Sequence, residues 1–88
     1  MPSDKTRLQF LVSQAKKLGL HKTDISYAQD FLDQGEHFLC FDQVVTQLYE
    51  LGISIDQSFY LSVEALARKW KLNDEEYAFL KENILSGS

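Results

Sequence analysis

His37 and Cys40 are the one pair in this chain whose types and spacing suggest chemistry. Three residues apart on a helix, their side chains are neighbours. An imidazole beside a thiol is half of a nucleophilic site, or two ligands of a metal site. Both need more. A thiolate nucleophile requires an oriented base and an oxyanion site, and zinc requires three or four ligands. His21 is the other histidine and Cys40 the single cysteine, so the ligand set runs out. Cys40 also falls beside an apolar stripe, where a free cysteine behaves as a small hydrophobe. The carboxylates Asp30 and Asp33 are paired by spacing, but acid–base work needs a cleft that separates and desolvates them, which a chain of 88 residues seldom builds. Every glycine (Gly19, Gly35, Gly52, Gly87) follows an apolar-periodic run, as a helix stop does, so a phosphate-cradling loop is missing. The expectation is a protein that is not an enzyme and carries no metal and no cofactor.

Charge is more informative. Between Lys22 and Arg68 there is no Lys or Arg, while Asp24, Asp30, Asp33, Glu36, Asp42, Glu50, Asp56 and Glu64 give that span a formal charge of −8. Residues 1–22 carry +4 and residues 68–88 carry 0, which sums to the net −4. An acid excess concentrated in the middle of a small chain suits a basic protein partner and would repel nucleic-acid phosphates. Lys5, Arg7, Lys16, Lys17 and Lys22, with His21, form a modest basic patch, read as solubility and helix-dipole partners.

The elements that must position these residues are helical throughout. Leu8, Leu11, Val12, Ala15 and Leu18 recur at helical spacing, with Ser3 or Asp4 as the cap. Thr23 or Asp24 opens a second helix whose inner stripe is Ile25, Ala28, Phe31 and Leu32, leaving Ser26, Gln29, Asp30 and Asp33 outside. A third, from about Glu36 to Leu51, buries Phe38, Phe41, Val45 and Leu48, with Val44, Leu51 and Tyr49 at its margins and Cys40 beside them. Glu36, Gln43, Gln47 and Glu50 gather on its outer face, with Leu39 beside them. After an Ile53–Asp56 linker, a fourth helix capped by Ser54 with Gln57, or by Asp56, buries Phe59, Val63, Leu66, Ala67 and Trp70. Its second line, Leu61, Ala65 and Leu72, suggests burial on two sides. Asn73 and Glu76 form a capping-box-like start to a last helix that turns Tyr77, Leu80 and Ile84 inward, and the chain is expected to fray from Leu85 to Ser88. The sum is one domain over residues 1–88, an all-α, small compact bundle of four to five short helices. A single cysteine argues against a disulfide framework, the N-terminus lacks a secretory apolar run, and no stretch approaches the roughly 20 apolar residues of a membrane span, so a cytoplasmic protein with no membrane association is expected.

Asp33-Gln34-Gly35-Glu36, Cys40-Phe41-Asp42, Leu48-Tyr49-Glu50 and Ile53-Ser54-Ile55 together resemble the MafI-type bacterial immunity proteins, over roughly residues 24 to 72. These are short helical proteins in which a Gly-Glu turn opens a central amphipathic helix. Phe38 and Phe41, early in that helix, are bulkier than the pattern usually carries. The resemblance implies a non-enzymatic antitoxin made beside a secreted or contact-delivered toxin, binding the toxin's C-terminal domain. Toxins of this kind are often nucleases, EndoU-like RNases among them. A basic nuclease cleft and an acidic inhibitor are complementary. The expected contact set is Asp30, Asp33, Glu36, Leu39, Gln43, Gln47, Tyr49 and Glu50, with Leu39 and Tyr49 as apolar anchors in a polar rim. The protein is expected to be a monomer before binding and to make no direct contact with nucleic acid. The rival readings are a small helical adaptor or secretion chaperone, which would expose a larger apolar patch, and a helical DNA-binding regulator, which the acid excess opposes.

Overall fold

A computed structural model describes residues 3–85. The chain forms α1 (Asp4–Leu18), α2 (Lys22–Asp33), α3 (His37–Glu50) and α4 (Gln57–Lys69), followed by two 3₁₀ segments, Asp74–Glu76 and Ala78–Asn83. It is a small all-α bundle, with no named strand among the described residues. No helix among them is long and apolar enough to cross a membrane.

Local chemistry sets the ends. Ser3 caps α1 by accepting a hydrogen bond from the Thr6 amide, and Asp56 caps α4 by accepting from the Phe59 amide at 2.7 Å. At the far end of α1, Gly19 takes φ 110°, its amide donates to the Lys16 carbonyl, and the Leu20 amide reaches back to Ala15. This pair of bonds satisfies carbonyls that the helix leaves open, and the left-handed residue between them makes it possible. The same pair closes α2 and α3. It also closes α4, but there the left-handed residue is Lys71, at φ 59°. A side chain in that region carries a steric cost that glycine escapes. Gly87, expected as a fourth helix stop, lies outside the described residues, as does the expected fraying of residues 86–88.

The apolar stripes close on one core of buried residues drawn from all four helices, the linker and the last 3₁₀ segment. Phe41 is wholly buried and meets the edge of Trp70, with ring centroids 5.5 Å apart. The start of α1 is tied to the end of α4 through Asp4, which accepts from Lys69 Nζ at 2.6 Å and from Trp70 Nε1 at 2.9 Å. These two bonds, with Lys69 first, hold the Asp4 carboxyl below its ordinary value of 3.8. Their contribution is therefore present above that value and is lost as pH falls through the lowered one.

Several expectations give way. The last segment is not an α-helix, and Asn73 makes no side-chain cap. Its inward residues Tyr77, Leu80 and Asn83 are spaced by three, which matches the 3.0-residue turn of a 3₁₀ helix better than 3.6. That turn aims the Asn83 amide at the Leu48 and Ile53 carbonyls (2.9 and 3.0 Å). It also lays Ile84 beside Ile55 in a parallel bridge, with the Leu85 amide donating to the Ile55 carbonyl. Leu85 is thus tied down, where fraying was expected. Phe38 is 41% exposed, because the buried arc of α3 centres on Phe41, Val44 and Leu48 and Phe38 lies about 90° from that centre. Leu51, just past the helix end, is also exposed. The fourth helix is covered on one side only, with Leu61 and Ala65 left in solvent and Tyr60 taken into the core instead.

Two predictions follow from strain and from an unmet polar group. Lys71→Gly should raise stability by about 1 kcal/mol in urea unfolding, by relieving the left-handed backbone. Tyr60 is 2% exposed and its hydroxyl has no hydrogen-bond partner among the described residues. Tyr60→Phe should therefore be neutral or stabilising by up to about 1 kcal/mol, where loss of a satisfied buried hydroxyl would destabilise.

Candidate functional site

The acidic middle of the chain folds into the α2–α3 hairpin. Its outer seam is built around Asp24, which is 9% exposed. Asp24 Oδ1 accepts from Gln43 Nε2 at 3.1 Å and from Gln47 Nε2 at 2.9 Å. Gln43 and Gln47 lie four apart, one turn, so both amides converge on one carboxylate from the facing helix. The two ion pairs among the described residues, Arg68–Glu64 and Lys69–Asp4, involve neither Asp24 nor any other residue of the hairpin. Asp24 thus has two hydrogen-bond donors and no ion pair among the described residues.

Around α3 the expected contact residues do not form one cluster. Gln43 and Gln47 are half-buried on the flank facing α2 and are engaged by Asp24. Leu39 and Glu50 lie near the middle of the exposed face, with Glu36 just before the helix. Tyr49 lies on the opposite flank, about 160° around the helix from Gln47, and packs edge-on to Phe79 with centroids 4.8 Å apart. On α2, Asp30 is exposed on the outer face. Asp33 is exposed too, but on the side turned to α1, where its carboxylate accepts from Gln29, itself paired with Gln9 of α1. The structure thus joins Gln43 and Gln47 through Asp24, leaves Asp30, Glu36, Leu39 and Glu50 exposed, and engages Tyr49 and Asp33 elsewhere, with Phe79 and Gln29.

One residue of that seam escaped the sequence reading. Tyr27 is 55% exposed, on the flank of α2 that carries Asp24 and faces α3. The available signal was its position off the Ile25, Ala28, Phe31 and Leu32 stripe. An aromatic left outside an otherwise complete inner stripe is a candidate contact residue.

The His37–Cys40 pair is not arranged as a nucleophilic site. Cys40 is fully buried, and burial first, then the nearby Asp33 charge, pushes its thiol up from 9.0 to about 11. It stays protonated at neutral pH, which suppresses the nucleophilic form. His37 is half-buried at the start of α3, close enough to Asp4 for its charge to act there. No group of three or more His, Cys, Asp or Glu among the described residues is placed to hold a metal ion. Comparison with protein-family models, with curated proteins and with solved structures finds no match for this chain.

Asp24→Ala strands the Gln43 and Gln47 amides and should cost about 1–3 kcal/mol. The exposed Asp30→Ala should stay within about 0.5 kcal/mol, and thermal unfolding of both variants measures the difference. Because the folded Cys40 thiol is raised above its ordinary value, the stability it supports is complete below pH 9.0 and declines as pH climbs toward about 11. Chemical denaturation from pH 8 to 11 should show a shallower decline in Cys40→Ala than in the parent.

Proposed function

We propose that this chain is a cytoplasmic immunity protein. It would bind, as a monomer and without chemistry of its own, the toxic C-terminal domain of a cognate bacterial toxin, with a basic nuclease favoured and an EndoU-like RNase first among these. The single observation that carries the reading is the acidic α2–α3 hairpin, where Asp24, Asp30, Glu36 and Glu50 make no ion pair among the described residues and Tyr27 and Leu39 are exposed. An apolar centre within a charged rim is the usual anatomy of a tight protein interface. The sign of the rim complements a cleft built to hold phosphates, and a complementary field speeds encounter. The resemblance to MafI-type immunity proteins covers this same hairpin and supports the same reading. Occupying the cleft with carboxylates would exclude the nucleic-acid substrate.

The test is neutralisation and binding of the toxin domain encoded beside this chain's gene. The triple reversal Asp30→Lys, Glu36→Lys, Glu50→Lys should leave the helices folded and lower the association rate tenfold or more at low salt. Near 0.5 M salt the gap should close, because steering is screened beyond about 10 Å at only 0.1 M. Tyr27→Ala and Leu39→Ala should act mainly on dissociation, as lost packing does. Unchanged kinetics for the triple reversal at low salt would reduce the acidic seam to a solvated face.

A further inference from the structure

On the other side of the molecule, α1 and α4 leave a groove of opposite sign. It encloses about 390 Å³ and is lined by Thr6, Arg7, Phe10, Leu11, Ser62 and Ala65. Small side chains on α4 make the trough: Ser62 and Ala65, three apart, present one short wall, and the buried Leu11 forms the floor. Phe10 stands at its rim, 52% exposed, and Leu61 on the neighbouring helix is 49% exposed. A shallower hollow on the far side of Phe10 is lined by Lys5, Thr6, Gln9, Ser13, Gln14 and Lys17. Phe10 is thus a ridge between two depressions, one lined by Arg7 and the other by Lys5 and Lys17, with no acid among the lining residues of either. Neither ion pair among the described residues engages Lys5, Arg7 or Lys17.

We propose that the α1–α4 groove is a second docking surface, which takes an amphipathic helix whose apolar stripe is flanked by acidic residues. An apolar stripe with anchors three or four apart would straddle the Phe10 ridge, with one large side chain filling the trough over Leu11, Ser62 and Ala65. Flanking carboxylates would meet Arg7 on the trough side of Phe10 and Lys5 and Lys17 on its far side, with Lys17 about two turns beyond Phe10 along α1. A volume of this size accommodates one or two aromatic or aliphatic side chains. Nucleic acid fits the surface less well. Three cations on a chain of net charge −4 are a weak phosphate footprint, and an apolar trough has no use for a sugar–phosphate backbone. The groove and the acidic seam lie on different helix pairs and carry opposite charge, so each would select a different partner surface.

The proposal is tested with the whole chain and defined probes, without the toxin. Three 16-residue helical peptides share one length: an apolar stripe flanked by Glu, the same stripe flanked by Lys, and a Glu-flanked peptide with the stripe replaced by Ser. A 16-base-pair RNA duplex is the fourth probe. Amide chemical shifts of isotope-labelled protein report the site. The first peptide should shift Thr6, Arg7, Phe10, Leu11, Ser62 and Ala65, and bind at least tenfold tighter than the other two. Phe10→Ala, at an exposed position, should weaken it tenfold with an unchanged thermal midpoint. Ala65→Trp, which fills the trough, should abolish the groove shifts, and raising salt should weaken the parent complex. Equal binding of the Glu- and Lys-flanked peptides, shifts confined to other helices, tighter binding of the duplex at the same residues, or no groove shifts at millimolar peptide would each overturn the proposal. None of these results depends on whether the α2–α3 seam binds a toxin.

Discussion

A carboxylate held by two neutral amides, with no cation beside it, governs both the shape and the charge of this molecule. Asp24 is nearly buried, and Gln43 and Gln47 supply its hydrogen bonds. An arginine there would have met the same hydrogen-bonding need and cancelled the charge. The amides instead meet the bonding requirement of a desolvated anion while leaving its field to reach the surface. The arrangement fixes the register of α2 against α3, since the two glutamines one turn apart reach the carboxylate only in one alignment. It also holds a negative charge in place at the centre of a seam whose rim is already acidic.

The rest of the bundle presents that hairpin rigidly. Asp4 joins the start of α1 to the end of α4, beside the Phe41–Trp70 contact. Asn83 donates to the carbonyls of Leu48, in the last turn of α3, and of Ile53, in the linker, and the Ile55–Ile84 bridge anchors the segment that carries it. The Asp4–Trp70 and Asn83–Leu48 bonds each join residues more than thirty apart in sequence. They stabilise the back of α3, so that its front can spend its polar side chains on charge and hydrogen bonding rather than on packing.

Much of this architecture was legible in the chain, and what was not has physical causes. The Ser3 and Asp56 caps, the glycine stops after α1, α2 and α3, and the Phe41, Val45 and Leu48 stripe are local signals, readable because each depends on a few neighbouring residues. The missed features are non-local. Phe38 reads as core by its spacing from Phe41, but which arc of α3 is covered depends on where α1 and the 3₁₀ segment lie. Tyr49 reads as a surface anchor, but Phe79, thirty residues away, packs on it. Gln43 and Gln47 read as contact residues because nothing in their own helix reveals that Asp24 will occupy them. Lys71 at a helix stop breaks the glycine rule that the other three ends obey. The candidate site was thus legible in its charge, which is additive along the sequence, and less so in its anchors, which depend on tertiary neighbours.

The central claim is that the outer seam of the α2–α3 hairpin is the surface that meets a basic toxin domain. Amide hydrogen exchange on the free protein and in the presence of any toxin domain found encoded beside it tests this most directly, because it reports the contact surface without altering it. The account predicts slowed exchange concentrated in α2 and α3, around Tyr27, Asp30, Leu39 and Gln43, with α4 and the 3₁₀ segments unchanged. Slowed exchange confined to α1 and α4, with the hairpin as exposed in the complex as in the free protein, would contradict it.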